Sequence, residues 1–219
     1  MKLKFCGLNN LDSLRQACDL NADFVGFIFA EQSPRKVELN FIAQLIDFNF
    51  CQTVPVCVFV NPLIQEVKKA INILPNAILQ FHGDESDEFC RQFHQPFWKS
   101  IPVKDKQSLS MSDNFPSAQA ILLETFSENL SGGTGKSFDW TLLDNMDLSK
   151  KFILAGGINP DNIQSAISLN PWCIDINSGV ESELAIKDNK LMAEIMTCLL
   201  YTSDAADDTP CVDLGGRRI

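Results

Sequence analysis

Histidine is scarce in this chain, and its cysteines are scattered. Two histidines occur in 219 residues, and none of the eight cysteines forms a Cys-x-x-Cys pair. Because structural zinc sites need clusters of these residues at short spacing, we expect no metal site. Most of the cysteines lie inside apolar segments, where free thiols pack as small hydrophobic side chains. Unpaired cysteines favour a reducing, cytoplasmic location.

The chain also lacks an excess of positive charge and any long apolar segment. Its net charge is −10 and its sequence pI is about 4.6. We expect no nucleic-acid partner, because no basic surface is available to neutralise a phosphate backbone. No segment is apolar over the length needed to cross a membrane, and residues 1–5 lead directly into a strand pattern. We therefore expect neither a membrane partner nor a signal peptide.

Two glycine-bearing segments, 154–158 and 175–180, each follow an apolar run. The spacing between them fits one helix, at 160–169, and one further strand. Glycines at such positions let backbone N–H groups approach an anion, and in a (β/α)8 barrel the loops after strands 7 and 8 form the usual phosphate site. The pair indicates a small phosphorylated ligand; two ordinary glycine turns are the alternative.

Strand and helix patterns alternate through most of the chain. Strand patterns occupy 2–6, 23–29, 54–60, 77–81, 97–102, 119–124, 151–155 and 172–177. Amphipathic segments lie near 11–20, 38–49, 63–73, 85–95, 139–146, 160–169 and 188–198, with a weaker helical pattern at 104–117. This alternation predicts an α/β protein, a single (β/α)8 TIM barrel. An open doubly wound sheet is less favoured, because no Gly-x-Gly-x-x-Gly follows the first strand.

We expect the barrel to be the catalytic domain and to span residues 1–199. The final helix is expected to finish near Cys198. Residues 200–219 contain the only tyrosine, Tyr201, show no helical period and end in Gly-Gly-Arg-Arg-Ile. This segment has the character of a tail that is disordered or foreign to the natural coding sequence.

Alternation along the strands separates side chains that face the barrel interior from those that face the helices. The interior set becomes polar where strands 1, 4, 6 and 8 end, and there it comprises Lys4, Cys6, Gln80, His82, Glu124, Asp175 and Asn177. Active sites of (β/α)8 enzymes lie at this end of the barrel. The convergence therefore predicts an active site, although each residue by itself also fits a structural role.

Two of these groups can exchange protons with a ligand. A thiol titrates at a pKa of about 8.5, so a modest shift would make Cys6 a base, and Glu124 could donate a proton from a facing wall. Arg35, in the loop after strand 2, offers a planar pair of donors for a carboxylate. The glycine-rich loop 131–136 lacks the spacing of a nucleotide-binding loop and fits a mobile lid better.

Eight motifs occur in an order and spacing that resemble phosphoribosylanthranilate isomerase, over about residues 2–198. They are Phe5-Cys6-Gly7-Leu8, Gly26-Phe27-Ile28-Phe29, Ser33-Pro34-Arg35, Val58-Phe59-Val60-Asn61, Gln80-Phe81-His82-Gly83, Gly132-Gly133-Thr134-Gly135 with Phe138-Asp139-Trp140, Leu154-Ala155-Gly156-Gly157-Ile158 and Ser178-Gly179-Val180-Glu181. The resemblance implies an Amadori rearrangement of N-(5-phosphoribosyl)anthranilate in tryptophan biosynthesis, without a metal or organic cofactor.

The resemblance also implies roles for individual residues. Cys6 matches the general base, and Arg35 matches the residue that holds the anthranilate carboxylate. The backbone groups of Gly156, Gly157, Ser178 and Gly179 match the phosphate site. Gln80, His82 and Asp175 are expected to contact the substrate. The acid of the family is normally an aspartate, and Glu124 stands at that position here.

Other functions remain open from the residues alone. An indole-glycerol-phosphate synthase would need a lysine acid near the mouth, and a sugar-phosphate epimerase would need metal-binding histidines. A barrel that binds a phosphate ligand but has impaired turnover is a further alternative, because Glu124 replaces aspartate. No apolar stripe is left spare on the predicted helices, which favours a monomer.

Overall fold

The computed structural model describes residues 1–125, 139–143 and 151–207. Parallel strands β1–β8 form a closed barrel, and each pairs with the next until β8 pairs with β1. They are β1 Lys2–Phe5, β2 Phe24–Ile28, β3 Val54–Phe59, β4 Ile78–Phe81, β5 Phe97–Val103, β6 Ala120–Thr125, β7 Lys151–Leu154 and β8 Cys173–Ile176. The predicted (β/α)8 barrel is confirmed, and the open sheet is excluded.

The helices follow the expected order. They are α1 Leu11–Asp19, α2 Leu39–Leu45, α3 Ile64–Ile73, α4 Asp87–Arg91, α5 Lys106–Leu109, α6 Ile163–Ser168 and α7 Asn189–Asp207, with 3-10 turns at Ser110–Asn114, Trp140–Leu143 and Ser178–Val180. Side-chain caps explain several of the starts: Asn10 accepts from the Ser13 N–H, and Ser86 accepts from the Phe89 N–H. The weak pattern at 104–117 becomes a short helix followed by a 3-10 turn.

Two features differ from the sequence-based expectation. Helix α7 continues to Asp207 instead of finishing near Cys198. Ala205 and Ala206 favour the helix, and the first proline beyond it is Pro210, so nothing in the sequence stops the helix earlier. A short antiparallel hairpin, β9 Glu181–Glu183 and β10 Ile186–Lys187, was not expected. Residues 208–219 lie outside the described part of the chain, and the domain boundary at 199 stays a prediction.

The core has two layers, as the alternation predicts. One cluster, which includes Leu3, Phe5 and Ile174, lies between the barrel and the helices. The other fills the barrel interior and includes Cys6, Ile78 and Leu122. The rings of Phe24, Trp98 and Trp172 pack against one another in the amino-terminal part of the interior, and active sites of such barrels lie at the carboxyl ends of the strands. Among the helices described, none has both the length and the apolar character of a membrane span.

Candidate active site

Cys6 lies just after β1, at the carboxyl end of the barrel. Its backbone N–H donates to the Ile176 carbonyl of β8 at 2.8 Å, and its side chain is 4% exposed. Gly7 then turns the chain with a φ of +72°, and a Cβ there would lie 2.7 Å from Asn177 Oδ1 and 2.9 Å from Arg35 Cδ. The turn therefore requires glycine, and it places the thiol close to the loops after β2 and β8.

A buried ion pair lies beside this thiol. Lys4 Nζ donates to Asp175 Oδ2 at 2.8 Å, and Lys4 is fully buried. Burial alone would lower the pKa of Lys4, but the Asp175 carboxylate and the Cys6 thiol more than offset it, so its pKa is raised. Burial raises the pKa of the Cys6 thiol, against the opposing effect of Lys4. Together these effects favour the thiol over the thiolate.

Glu124 projects from the end of β6 and is one quarter exposed. Its Oε1 accepts from Ser100 Oγ at 2.5 Å and lies 3.1 Å from His82 Nδ1. Burial would raise the pKa of Glu124, but His82, Ser100 and Lys99 outweigh it, so the pKa is lowered and the carboxyl is ionised. Ser100 was not identified from the sequence, although its interior position on β5 was a readable signal.

Gln80 and His82 form a chain of contacts that leads to Glu124. Gln80 Nε2 contacts His82 Nε2. The imidazole of His82 therefore links the amide of Gln80 to the carboxyl group of Glu124. Two buried oxygens at this end, Gln80 Oε1 and Asp175 Oδ1, have no hydrogen-bond partner among the described residues. These oxygens could accept hydrogen bonds from the hydroxyl groups of a ligand.

Arg35 forms an ion pair with a carboxylate of the protein itself. Its Nε and Nη2 donate to the two carboxylate oxygens of Glu181 at 2.7 and 2.8 Å, and both side chains are buried. Lys187 Nζ also donates to Glu181 at 2.7 Å. Burial would raise the pKa of Glu181, but Arg35 and Lys187 lower it. Glu181 and Lys187 belong to the unexpected β9–β10 hairpin, which explains why sequence patterns did not assign them a role. The expectation that Arg35 holds a ligand carboxylate stays a prediction.

The two glycine loops are in contact, as expected. Gly156 and Gly157 have φ values of +90° and +67°. A Cβ on Gly179 would lie 1.8 Å from the carbonyl oxygen of Ile158, so the loops after β7 and β8 pack backbone against backbone. Ser178 begins the short 3-10 turn beside them. Their binding of phosphate stays a prediction, and loop 131–136 lies outside the described residues. In the described ranges, no cluster of three or more histidine, cysteine, aspartate or glutamate side chains could hold a metal ion.

Replacing Ser100 by alanine should destabilise the protein in a pH-dependent way. The pKa of Glu124 is lower in the folded protein than in the unfolded chain, so the contacts of its carboxylate stabilise the fold at pH values above the unfolded pKa. This stabilisation is lost as the pH falls through the pKa of the folded protein. We expect Ser100→Ala to lower the free energy of unfolding by about 1 kcal/mol at pH 7 and by less at pH 3. Urea unfolding at both pH values measures this, with exposed Ser110→Ala as the control. An equal loss at both pH values would contradict the assignment.

Comparison with known proteins identifies relatives of this chain. Residues 3–197 match the family model described as N-(5'phosphoribosyl)anthranilate (PRA) isomerase. A curated relative, N-(5'-phosphoribosyl)anthranilate isomerase of Legionella pneumophila (strain Paris), is 42% identical over 202 residues, which cover 91% of this chain and 97% of the relative. The relative from Hahella chejuensis is 36% identical over 90% of this chain and 92% of its own length.

Solved structures of proteins with this activity have folds similar to that of this chain. Phosphoribosyl anthranilate isomerase from Thermus thermophilus superposes with a TM-score of 0.82 at 26% identity, covering 92% of this chain and all of that one. A second structure, in complex with reduced 1-(o-carboxyphenylamino)-1-deoxyribulose 5-phosphate, has a TM-score of 0.78 at 27% identity and covers 90% of this chain and 97% of that one.

Proposed function

Because the chain belongs to the N-(5'-phosphoribosyl)anthranilate isomerase family and is an isomerase of tryptophan biosynthesis, we propose that Cys6 and Glu124 are its catalytic base and acid. The observation that supports this most is their placement. The thiol at the end of β1 and the carboxyl at the end of β6 both face the interior at the open end of one barrel. Proton transfer on a small bound sugar needs groups on two walls of one cavity.

The proposed reaction balances without a cofactor. Glu124 gives its proton to the ribose ring oxygen of N-(5'-phosphoribosyl)anthranilate as the bond from that oxygen to C1 breaks, and a protonated Schiff base forms. The Cys6 thiolate then removes the proton from C2, which gives an enolamine. This intermediate tautomerises to the ketone, 1-(o-carboxyphenylamino)-1-deoxyribulose 5-phosphate. Since the product is an isomer of the substrate, one proton donated and one removed leave no net change.

The resting protonation states are the reverse of those the reaction needs. Their surroundings favour a neutral Cys6 and an ionised Glu124, whereas catalysis requires a thiolate and a carboxylic acid. Both arrangements contain the same number of protons, so the active one is a tautomer of the resting one. Its population depends on how far the surroundings stabilise the thiolate and the carboxylic acid. Groups that contact Cys6 therefore affect the rate directly.

The surrounding groups support the same substrate. Gln80 Oε1 and Asp175 Oδ1 have no partner in the part of the chain that the structure describes and could accept from ribose hydroxyl groups, while His82 contacts the acid. Arg35 uses two of its nitrogens on Glu181 and would offer Nη1 to the anthranilate carboxylate. In this way Glu181 holds the guanidinium plane in place for the substrate. The backbone groups of the two glycine loops, at Gly156, Gly157, Ser178 and Gly179, would bind the phosphate.

The phosphate site can be tested at Gly179. A methyl group there would collide with the Ile158 carbonyl, so Gly179→Ala must separate the two loops. We expect KM to rise by about tenfold or more, with a much smaller effect on kcat. The reason is that phosphate binding stabilises the bound substrate and the transition state equally. Steady-state kinetics followed by the fluorescence of the anthranilate substrate measure both constants. Exposed Ser165→Ala on α6 is the control. An unchanged KM would place the phosphate elsewhere.

The same assay tests the overall proposal. The wild-type protein should convert the substrate, and variants that lack the Cys6 thiol or the Glu124 carboxyl group should lose this activity.

We further propose a cytoplasmic monomer. The free cysteines support a reducing compartment. Analytical ultracentrifugation should give the mass of one chain; a mass of two chains would contradict the monomer and match the relative from Thermotoga maritima, which is described as dimeric.

A further inference from the structure

Lys4 is a buried charged group that the proposed reaction does not use. It lies on the interior side of β1, next to Asp175 on β8 and below the Cys6 thiol. We infer that Lys4 is a positioning residue: its ammonium group, held by Asp175, donates to Cys6 and stabilises the thiolate that removes the C2 proton. The inference rests on the proposed role of Cys6 as the base.

The contacts place one cation between an anion and a thiol. Lys4 Nζ donates to Asp175 Oδ2 at 2.8 Å, and the positive charge of Lys4 favours the Cys6 thiolate. Strand β2 leaves room for this arrangement at Gly26, where a Cβ would lie 2.7 Å from Cys6 Sγ and 3.0 Å from Lys4 Cε. Three neighbouring strands therefore shape the space in which the ammonium group meets the sulfur atom.

Stability alone gives a weak reason for burying this pair. Removing a lysine and an aspartate from water costs about as much as their attraction returns, so an apolar pair of similar volume would serve the fold as well. The position beside a reactive thiol gives a specific reason. A cation in contact with sulfur favours the thiolate over the thiol by direct attraction.

Other charges also face Cys6, and each of them shifts the equilibrium between its thiol and thiolate forms in a direction that can be predicted. Asp175 disfavours the thiolate, whereas Lys187 from β10 favours it. Lys187 Nζ is bonded to Asn177 and Glu181, whereas Lys4 shares the space beside Gly26 with the Cys6 sulfur atom. Removing Lys4 should disfavour the thiolate, and neutralising Asp175 should favour it.

The test measures the thiolate without relying on turnover. Iodoacetamide modification of the Cys6 peptide, resolved by mass spectrometry from pH 6 to pH 10, reports the pH at which the thiolate forms. We expect Lys4→Met to move this midpoint up by at least about one pH unit, and Asp175→Asn to move it down. The matched control is Lys2→Met on the same strand, which breaks the partly buried pair of Lys2 with Asp23 and should leave the midpoint unchanged.

A double variant in which both buried charges are removed keeps the inference testable if a single variant fails to fold. Lys4→Met with Asp175→Asn leaves no unpaired buried charge, and its midpoint should still rise, though by less than in Lys4→Met. An unchanged midpoint in the double variant, or a shift of the same sign in all three variants, would overturn the inference. Loss of turnover in Cys6→Ala belongs to the proposed function and is decided separately. If Cys6→Ala keeps its activity, the base is another group, whatever the alkylation shows.

Discussion

Cys6→Ala is expected to lower kcat by about 10²–10⁴-fold, which is the usual contribution of a positioned general base. The alanine cannot remove the C2 proton, and no other group in the proposed mechanism is placed to do so. Substrate binding should change little, because the phosphate, carboxylate and hydroxyl contacts involve other residues. Steady-state kinetics with the fluorescent anthranilate substrate give both constants.

A second cysteine supplies the control for this loss. Cys57 is as deeply buried as Cys6, but it lies on β3 in the layer that faces the helices. Cys57→Ala removes a comparable thiol and leaves a similar cavity away from the site, so it should keep its activity while losing some stability. A near-normal rate in Cys6→Ala, with both variants folded by circular dichroism, would show that another group is the base.

Glu124→Gln should lower kcat by about 10²–10⁴-fold, and Glu124→Asp should retain or raise it. The glutamine keeps the length of the side chain and can still accept from Ser100, but it has no acidic proton to give. Aspartate keeps the acid and restores the residue normally found in the family that this chain resembles. The methylene it removes moves the proton by about 1 Å, a distance to which such reactions are sensitive.

Exposed Glu183→Gln is the matched control, since it makes the same chemical change on β9. It should have wild-type kinetics. Full activity in Glu124→Gln would show that another group donates the proton, and His82, at 3.1 Å from Glu124, would be examined first. A strong loss in both Glu124→Gln and Glu124→Asp would mean that the length of the glutamate is needed as well as its acidity.

The local patterns of this sequence were sufficient to predict its architecture. Alternation of period two along the strands separated Leu3 and Phe5 from Lys4 and Cys6, and the structure places these pairs in different layers. This works because a strand side chain can face only one of two layers, and each layer selects for polarity. Glycine spacing likewise predicted that the loops after β7 and β8 would meet.

The partners of the charged groups could not be read in the same way. Glu181 bonds to Arg35, which is 146 positions earlier in the chain, and Asp175 bonds to Lys4 across the seam where β8 meets β1. Such contacts depend on closure of the barrel and on a hairpin too short to produce a pattern. Sequence reasoning therefore identified Arg35 as a carboxylate-binding residue and Cys6 as a base without identifying the charged partners around them.

By itself, the sequence determined the strand order, the inward-facing residues and the family, because these follow from local periodicity and from motifs within single loops. Only the tertiary structure decided the protonation states at the site, because burial and the charges on Lys4, Lys99 and Arg35 act through space. The pKa of a side chain depends on which distant groups surround it once the barrel has closed.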